Sequence, residues 1–370
     1  MKSLLLVSYE YPPIGGGAAN ACRQYAQLLA ARGTKVVVLT SAYADLPLRE
    51  EHGDLVIVRI PAGRKDQHKS NPFQMFCFML SAFLRLGNLV QVYKPDHALI
   101  FFVSPFGALG LALKWFHNVP FSVFARGGDI PGFVDLTDAY HAVLAPLTSL
   151  ILKNTTNVFS NGMFLKELAD KLLVDKEAIN IPNGLEPRLA KTKKVNDKLK
   201  LLFVGRMVKK QKNFLVLPEI LQQASELDLH LYIVGDGPDF DLLLAKIAEY
   251  KLESRVTILG WLNRQELETY YQLCDLLIFP SIVEGVSNVL VEAIASGMYV
   301  LANDIPDTRF FIENTGRGKL LKTNEASEYV ALIKELIEDP SAIEAGISQE
   351  TLQTLSWEAS AGELESYLWG

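Results

Sequence analysis

Two glutamates with seven residues between them, Glu284 and Glu292, are the side chains here best suited to grip hydroxyl groups. They lie in the stretch Pro280 to Gly297. Before them, the apolar run 276–279 reads as a buried strand. Ser287 or Asn288 reads as a helix N-cap, and Val289, Leu290, Ala293 and Ile294 give the helix an inward face. Gly297 falls where a C-cap glycine belongs, and a second apolar run, 299–302, follows. This is a strand–loop–helix–strand unit of a parallel sheet, in which ligands gather beyond the carboxyl ends of strands. Free N–H groups along Gly285, Val286, Ser287 and Asn288 favour an anion such as a pyrophosphate. Glu292, one turn past Asn288, lies about 6 Å further along the axis. There it can take two hydrogen bonds from vicinal hydroxyls, as a ribose offers. Glu284, on the other side of the anion, can do the same for a hexose. Hydroxyl, phosphate, hydroxyl is the order of groups in a nucleotide-sugar. The plainer alternative is that Glu284 only offsets the helix dipole and Glu292 is a solvated face residue.

A second constellation supplies positive charge. Arg206 and Lys212 follow a strand predicted over 200–204, at its carboxyl end, where a diphosphate leaving group needs cations. Lys209 and Lys210 read as a solvated loop. Gly235, after a strand at 229–234, and Gly260, after one at 256–259, border the base, and Trp261 reads as core. In the first half, Gly15-Gly16-Gly17 follows a strand at 3–8, and Gly16 and Gly17 let the backbone approach a bound group. The dinucleotide pattern G-x-G-x-x-G is missing, so a dehydrogenase is disfavoured. After a strand at 121–125 comes Arg126-Gly127-Gly128-Asp129. Asp129 is suited to an acceptor or sugar hydroxyl and Arg126 to a phosphate, the alternative being a turn tied by the Asp side chain.

These residues must be carried by two domains. A chain of 370 residues, 49% hydrophobic and 21% charged, suits two sizeable cores. The net charge of −6 argues against general nucleic-acid binding. Cys22, Cys77 and Cys274 fall in predicted helices with no metal-ligand spacing, which implies small core residues and a reducing compartment. No signal peptide is read at the start, and no apolar run of ~18 residues is read as a membrane span. A polar, Lys-rich linker is expected over 187–198, between an N-terminal acceptor-binding domain (1–187) and a C-terminal domain (199–355). Residues 356–370 form a last helix. Residues 72–92 are predicted as a helix whose apolar residues cover most of its circumference, preceded by the basic stretch Arg64 to Lys69. The favoured reading is a helix packed on both sides behind a solvated loop; the other is a surface resting on anionic lipid.

The pattern Pro-Ser-x-x-Glu-Gly-x-Ser-Asn-x-Leu-x-Glu-Ala-x-Ala-x-Gly at 280–297 resembles the signature of glycosyltransferase family 4. These are retaining, metal-independent enzymes of α/β class with two Rossmann-like domains facing across a cleft, the GT-B fold, and a last helix that crosses back to the N-terminal domain. The resemblance implies that Glu292 holds the ribose, that Glu284 contacts the donor sugar, and that Arg206 and Lys212 hold the donor phosphates. Gly16 and Gly17 would border the donor phosphates and the acceptor. Pro182-Asn183-Gly184 resembles the family's end-of-domain marker, and Trp357 its C-terminal anchor. Three departures stand out: Met298-Tyr299 where a proline is usual, Asn213 for a glycine, and the Arg126–Asp129 loop where many members carry a histidine. The expected activity is transfer of a hexose from a UDP- or GDP-linked sugar to a glycan or lipid-linked acceptor in surface polysaccharide or lipopolysaccharide synthesis. Arg206, Lys212, Glu284 and Asp129 would be the catalytic set, with no metal and no cofactor. The expected location is cytoplasmic, with peripheral contact to an anionic membrane left open. The rival readings are a nucleotide-sugar epimerase or hydrolase on the same architecture, and a non-catalytic binding protein.

Overall fold

In the computed structural model, described for residues 2–64, 66, 70–132, 138–185, 198–284 and 286–370, the chain forms two compact units. Unit 1 comprises Met1–Gly184 with Trp357–Gly370, and unit 2 comprises Leu185–Ser356.

Unit 1 is built on an eight-stranded sheet of order β3-β4-β2-β1-β5-β6-β7-β8. Its strands are β1 (Ser3–Val7), β2 (Lys35–Ser41), β3 (Arg49–His52), β4 (Leu55–Ile60), β5 (His97–Phe101), β6 (Phe121–Ala125), β7 (Val158–Ser160) and β8 (Ile179–Asn180). All pair in parallel except β3, which runs antiparallel to β4. β1, β5 and β6 are buried at every position, because helices cover both faces of a parallel sheet. One face carries α2 (Pro72–Tyr93), α3 (Gly107–His117), α4 (Asp138–Asn154) and α5 (Met163–Asp170); α1 (Gly17–Ala31) packs on the other.

Unit 2 has a six-stranded parallel sheet of order β11-β10-β9-β12-β13-β14. The strands are β9 (Leu199–Val204), β10 (Leu229–Val234), β11 (Val256–Gly260), β12 (Leu276–Phe279), β13 (Tyr299–Asn303) and β14 (Gly318–Leu321). Its helices are α6 (Lys209–Lys212), α7 (Val216–Gln223), α8 (Phe240–Glu249), α9 (Arg264–Leu273), α10 (Asn288–Ala295), α11 (Pro306–Thr315), α12 (Ala326–Glu338), α13 (Ser341–Glu344) and α14 (Gln349–Thr354). The last helix, α15 (Trp357–Trp369), belongs to unit 1: it packs on α1, with the Trp357 ring 5.5 Å from Tyr25. In each sheet the strand order reverses at one point, between β1 and β5 in unit 1 and between β9 and β12 in unit 2. Loops part there and leave a crevice for a ligand.

Several sequence expectations need correction. The hairpin strand β3 and the pair α11–β14 were not foreseen. β3 is polar and largely exposed, and α11 begins at Pro306, just past the end of β13. Cys274 lies just past α9 rather than in it. Trp261 is not core: it is 78% exposed, because it follows the edge strand β11. α2 does meet the length and composition of a membrane span, with a mean hydropathy of 1.5 over an 18-residue window, since Arg85 is its only charged residue. It is also not packed on both sides. Phe78, Ala82, Leu86 and Leu89 are buried, whereas Phe73, Phe76, Leu80, Phe83 and Leu84 are exposed. Arg64 is no surface cation: its side chain is fully buried, pairs with Glu10 at 3.3 Å and lies over the Tyr9 ring. Lys65 and Lys69, the other cations of that stretch, and residues 187–197 of the expected linker lie outside the described residues.

Candidate active site

Unit 2 gathers its predicted residues at the reversal point of its sheet. The loop after β9 carries Arg206 and leads into α6; the loop after β12 carries Glu284 and leads into α10. The loop after β12 is tied to α6, the Ile282 N–H donating to the Gln211 carbonyl at 2.8 Å. Lys212 closes α6. Its stem passes Gly205, its ammonium lies 5.7 Å from the Phe279 ring centre, and it is ion-paired with the Glu284 carboxylate. Both side chains are nearly shielded from water. Arg206 is exposed, beside the loops that follow β10 and β11.

α10 starts at Asn288 with Ser287 at the N-cap position. Ser287 is buried and makes no side-chain cap bond among the described residues, and the backbone N–H groups of the first turn have no intrahelical partner by helix geometry. Val286 is half-buried and Asn288 exposed; Gly285 lies outside the described residues. Glu292, one turn into α10, accepts a hydrogen bond from the buried Tyr271 hydroxyl at 3.2 Å, which fixes one oxygen and orients the other. Tyr271 is a site residue that sequence reasoning missed, since a contact from α9 leaves no local signal. Gly297 has the left-handed φ of 78° expected of a glycine just past a helix end.

A groove of about 580 Å³ runs between the ends of β9, β10 and β11, lined by Arg206, Gly235, Asp236, Gly237 and the exposed Trp261. Its floor is interlocked backbone. The Gly235 N–H donates to the Gly260 carbonyl at 2.7 Å, and the Met207 N–H to the Asp236 carbonyl at 3.0 Å. Gly235 is required here: its φ is +126°, and a Cβ would lie 2.0 Å from the Gly205 carbonyl oxygen.

In unit 1 the outcome differs. Gly16 is the N-cap of α1 and Gly17 its first residue; both are exposed, and a Cβ at Gly16 would meet nothing within 4 Å. The glycine that the turn demands is instead Gly15, with φ +88° and Glu10 against it. Asp129 is fully buried. One of its oxygens accepts from the Val103 N–H and the other from the Arg126 N–H at 2.9 Å. Burial raises its pKa, against the pull of these N–H groups. These are the bonds of a turn tied by the Asp side chain, with one backbone N–H on each carboxylate oxygen. The Arg126 guanidinium donates to Asn183 at 2.9 Å and stacks 4.0 Å from the Phe124 ring centre. Its Nε and Nη2 are buried without partners among the described residues, and burial pushes its pKa down to about 10.

Comparison with known proteins agrees with this architecture. Residues 186–351 match the family described as Glycosyl transferases group 1, and residues 16–184 match the Glycosyl transferase 4-like domain. An uncharacterized glycosyltransferase of Methanocaldococcus jannaschii is 27% identical over 332 residues, 82% of this chain and 80% of the relative. The sucrose-phosphate synthase of Thermosynechococcus elongatus superposes with a TM-score of 0.76 at 21% identity, covering 99% of this chain and 98% of its own. The Anabaena protein HepE, solved with UDP and glucose, superposes with a TM-score of 0.70 at 17% identity over 100% of this chain and 99% of its own.

Proposed function

The chain belongs to the group 1 glycosyltransferases and has the GT-B fold, and from that premise we propose that it moves a hexose from a nucleoside-diphosphate sugar to a glycan or lipid-linked acceptor, with retention and without a metal. The observation that carries this reading is the meeting of Lys212 and Glu284 at the reversal point of the unit 2 sheet, beside the open start of α10 and the groove that Arg206 lines. The UDP and glucose in the HepE structure fit the same donor class.

In this reading the base lies in the groove near Gly235, Gly260 and Trp261, and Glu292, oriented by Tyr271, takes the ribose hydroxyls. The diphosphate meets Arg206, Lys212 and the N–H groups of α10, which act as preorganised positive charge. Glu284 takes the sugar hydroxyls. The bond from the anomeric carbon to the diphosphate oxygen breaks, its electron pair passing to that oxygen. The acceptor hydroxyl oxygen bonds to the same carbon from the same face, and its proton passes to the departing phosphate. Acceptor recognition falls to unit 1, through Arg126, with Gly16 and Gly17 bordering the donor phosphates and the acceptor, in the synthesis of a surface glycan or lipopolysaccharide on the cytoplasmic side.

Incubation with UDP- and GDP-hexoses, with and without glycan and lipid-linked acceptors, tests this by NMR of the products. A glycoside of the donor's anomeric configuration, formed equally well with a chelator present, is expected. Conversion of the donor with no acceptor present, to an epimer or to free sugar, would replace transfer by epimerisation or hydrolysis. Product of inverted configuration would overturn retention.

A further inference from the structure

The helical layer formed by α2, α3 and α4 on unit 1 shows solvent an apolar, cationic face that the proposed chemistry does not use. On α2, Phe73, Phe76, Leu80, Phe83 and Leu84 recur at helical spacing opposite the buried residues Phe78, Ala82, Leu86 and Leu89. Phe73 and Leu84 are each 73% exposed. α3 packs beside α2 and α4 beside α3. α3 adds exposed Trp115 and Phe116, and the Phe116 ring meets Phe83 edge-on at 6.3 Å, so the two helices present one continuous surface. α4 adds exposed Val143 and Leu150. Scattered apolar residues on a surface need no explanation, but a contiguous aromatic patch over neighbouring helices marks a contact site.

Charge says what the contact is. α2 and α3 contain no acidic residue, and α4 has one, Asp138, at its first position. Arg85, Lys114, Lys153 and the α2 cap Lys94 are all exposed, and Lys114 bonds to the Asn154 carbonyl. In a chain of net charge −6, an acid-poor cationic face studded with Phe and Trp is a local reversal of sign. A second copy docking through this face would set the same cations against each other, as a two-fold interface requires. An anionic bilayer satisfies both features at once: rings enter the headgroup boundary while Arg and Lys reach the phosphates. Spanning is excluded by the other face of α2, which is fixed to the core. We infer that the α2–α3–α4 face of this protein seats on anionic lipid, lying on the membrane rather than crossing it.

The test uses the full chain, sedimented with vesicles of phosphatidylcholine alone or mixed with phosphatidylglycerol. Co-sedimentation is expected with the mixed vesicles. The pair R85A and K153A should weaken it roughly 30-fold, at about one unit of lipid attraction per cation. The apolar pair F76S and W115S should abolish it, with melting temperatures of both variants matching the parent as the control for folding. No sedimentation above the lipid-free background would overturn the inference, and so would equal binding to both vesicle types that is indifferent to R85A and K153A. Self-association in light scattering that F76S and W115S remove would assign the face to a second copy instead, and overturn it equally.

Discussion

The Lys212 ammonium rests against the Glu284 carboxylate, although one closes α6 and the other lies in the loop after β12, 72 residues apart in sequence. Each is shielded enough that removing one leaves the other's charge in poor solvent. Lys212→Ala or Glu284→Ala alone should therefore cost about 3 kcal/mol of stability, as for broken buried pairs. The double variant should lose clearly less than the sum. Urea unfolding of the four proteins measures this coupling. Strict additivity would mean that the pair contributes nothing to the fold.

Arg206 stands in a different relation to the site, exposed on the rim of the groove and with its guanidinium open to a ligand. Its removal should spare stability and strike turnover. If it supplies ~3 kcal/mol to the departing diphosphate, Arg206→Ala lowers kcat about 100-fold. Arg206→Lys should recover only part of this, because a point charge replaces a planar fork. Steady-state rates of both variants against the parent decide it. A rate within twofold of the parent removes Arg206 from the mechanism.

The glycines of the groove differ in kind. A Cβ at Gly235 would collide with the Gly205 carbonyl oxygen, whereas one at Gly260 would meet open space, although both have positive φ. Gly235→Ala should thus cost about 2–4 kcal/mol and spoil nucleotide binding, and Gly260→Ala only about 1 kcal/mol. Thermal melts with and without UDP separate the two. Equal effects would mean that the loop yields to the added methyl.

Asp129 accepts from two backbone N–H groups within a buried loop, so its loss acts through the fold. Asp129→Ala should destabilise the protein by about 2–4 kcal/mol, from two orphaned donors at 1–3 kcal/mol each, less relaxation. The folded fraction should keep near-parental turnover at low temperature. A fully folded variant with no activity would restore a direct role in chemistry.

Much of this is legible in the sequence alone. The apolar runs at 276–279 and 299–302, separated by a helix with its cap and C-terminal glycine, gave β12, α10 and β13 to within a residue. The signal was strong because buried parallel strands and a short amphipathic helix have different periods. The reversal point that unites Arg206, Lys212 and Glu284 was legible only as an expectation, because strand order is a long-range property. Tyr271 and the Arg126–Asn183 bond were invisible for the same reason. Trp261 departs from its reading as core because a large ring after an edge strand stays exposed, while the inward turn of Asp129 is visible only once its loop is folded. Nor does composition distinguish a helix apolar all round that is sandwiched from one that, like α2, shows a face to its surroundings.

Acid sensitivity should trace in part to His97. This ring lies buried between β5 and β6, with Nε2 2.9 Å from the Ser122 hydroxyl, and burial pushes its pKa down to about 4 from 6.5. Below pH 6.5 the unfolded chain takes up a proton there that the folded chain refuses until about pH 4. Stability therefore falls with pH across that window, by about 1.4 kcal/mol per unit, or roughly 2 kcal/mol at pH 5. His97→Gln cannot titrate and keeps a polar group near Ser122. Its urea stability at pH 7 should be lower than the parent's through imperfect packing, but the further loss between pH 7 and pH 5 should be smaller by about 2 kcal/mol. Parallel losses in the two proteins would mean that the ring is protonated inside the folded unit.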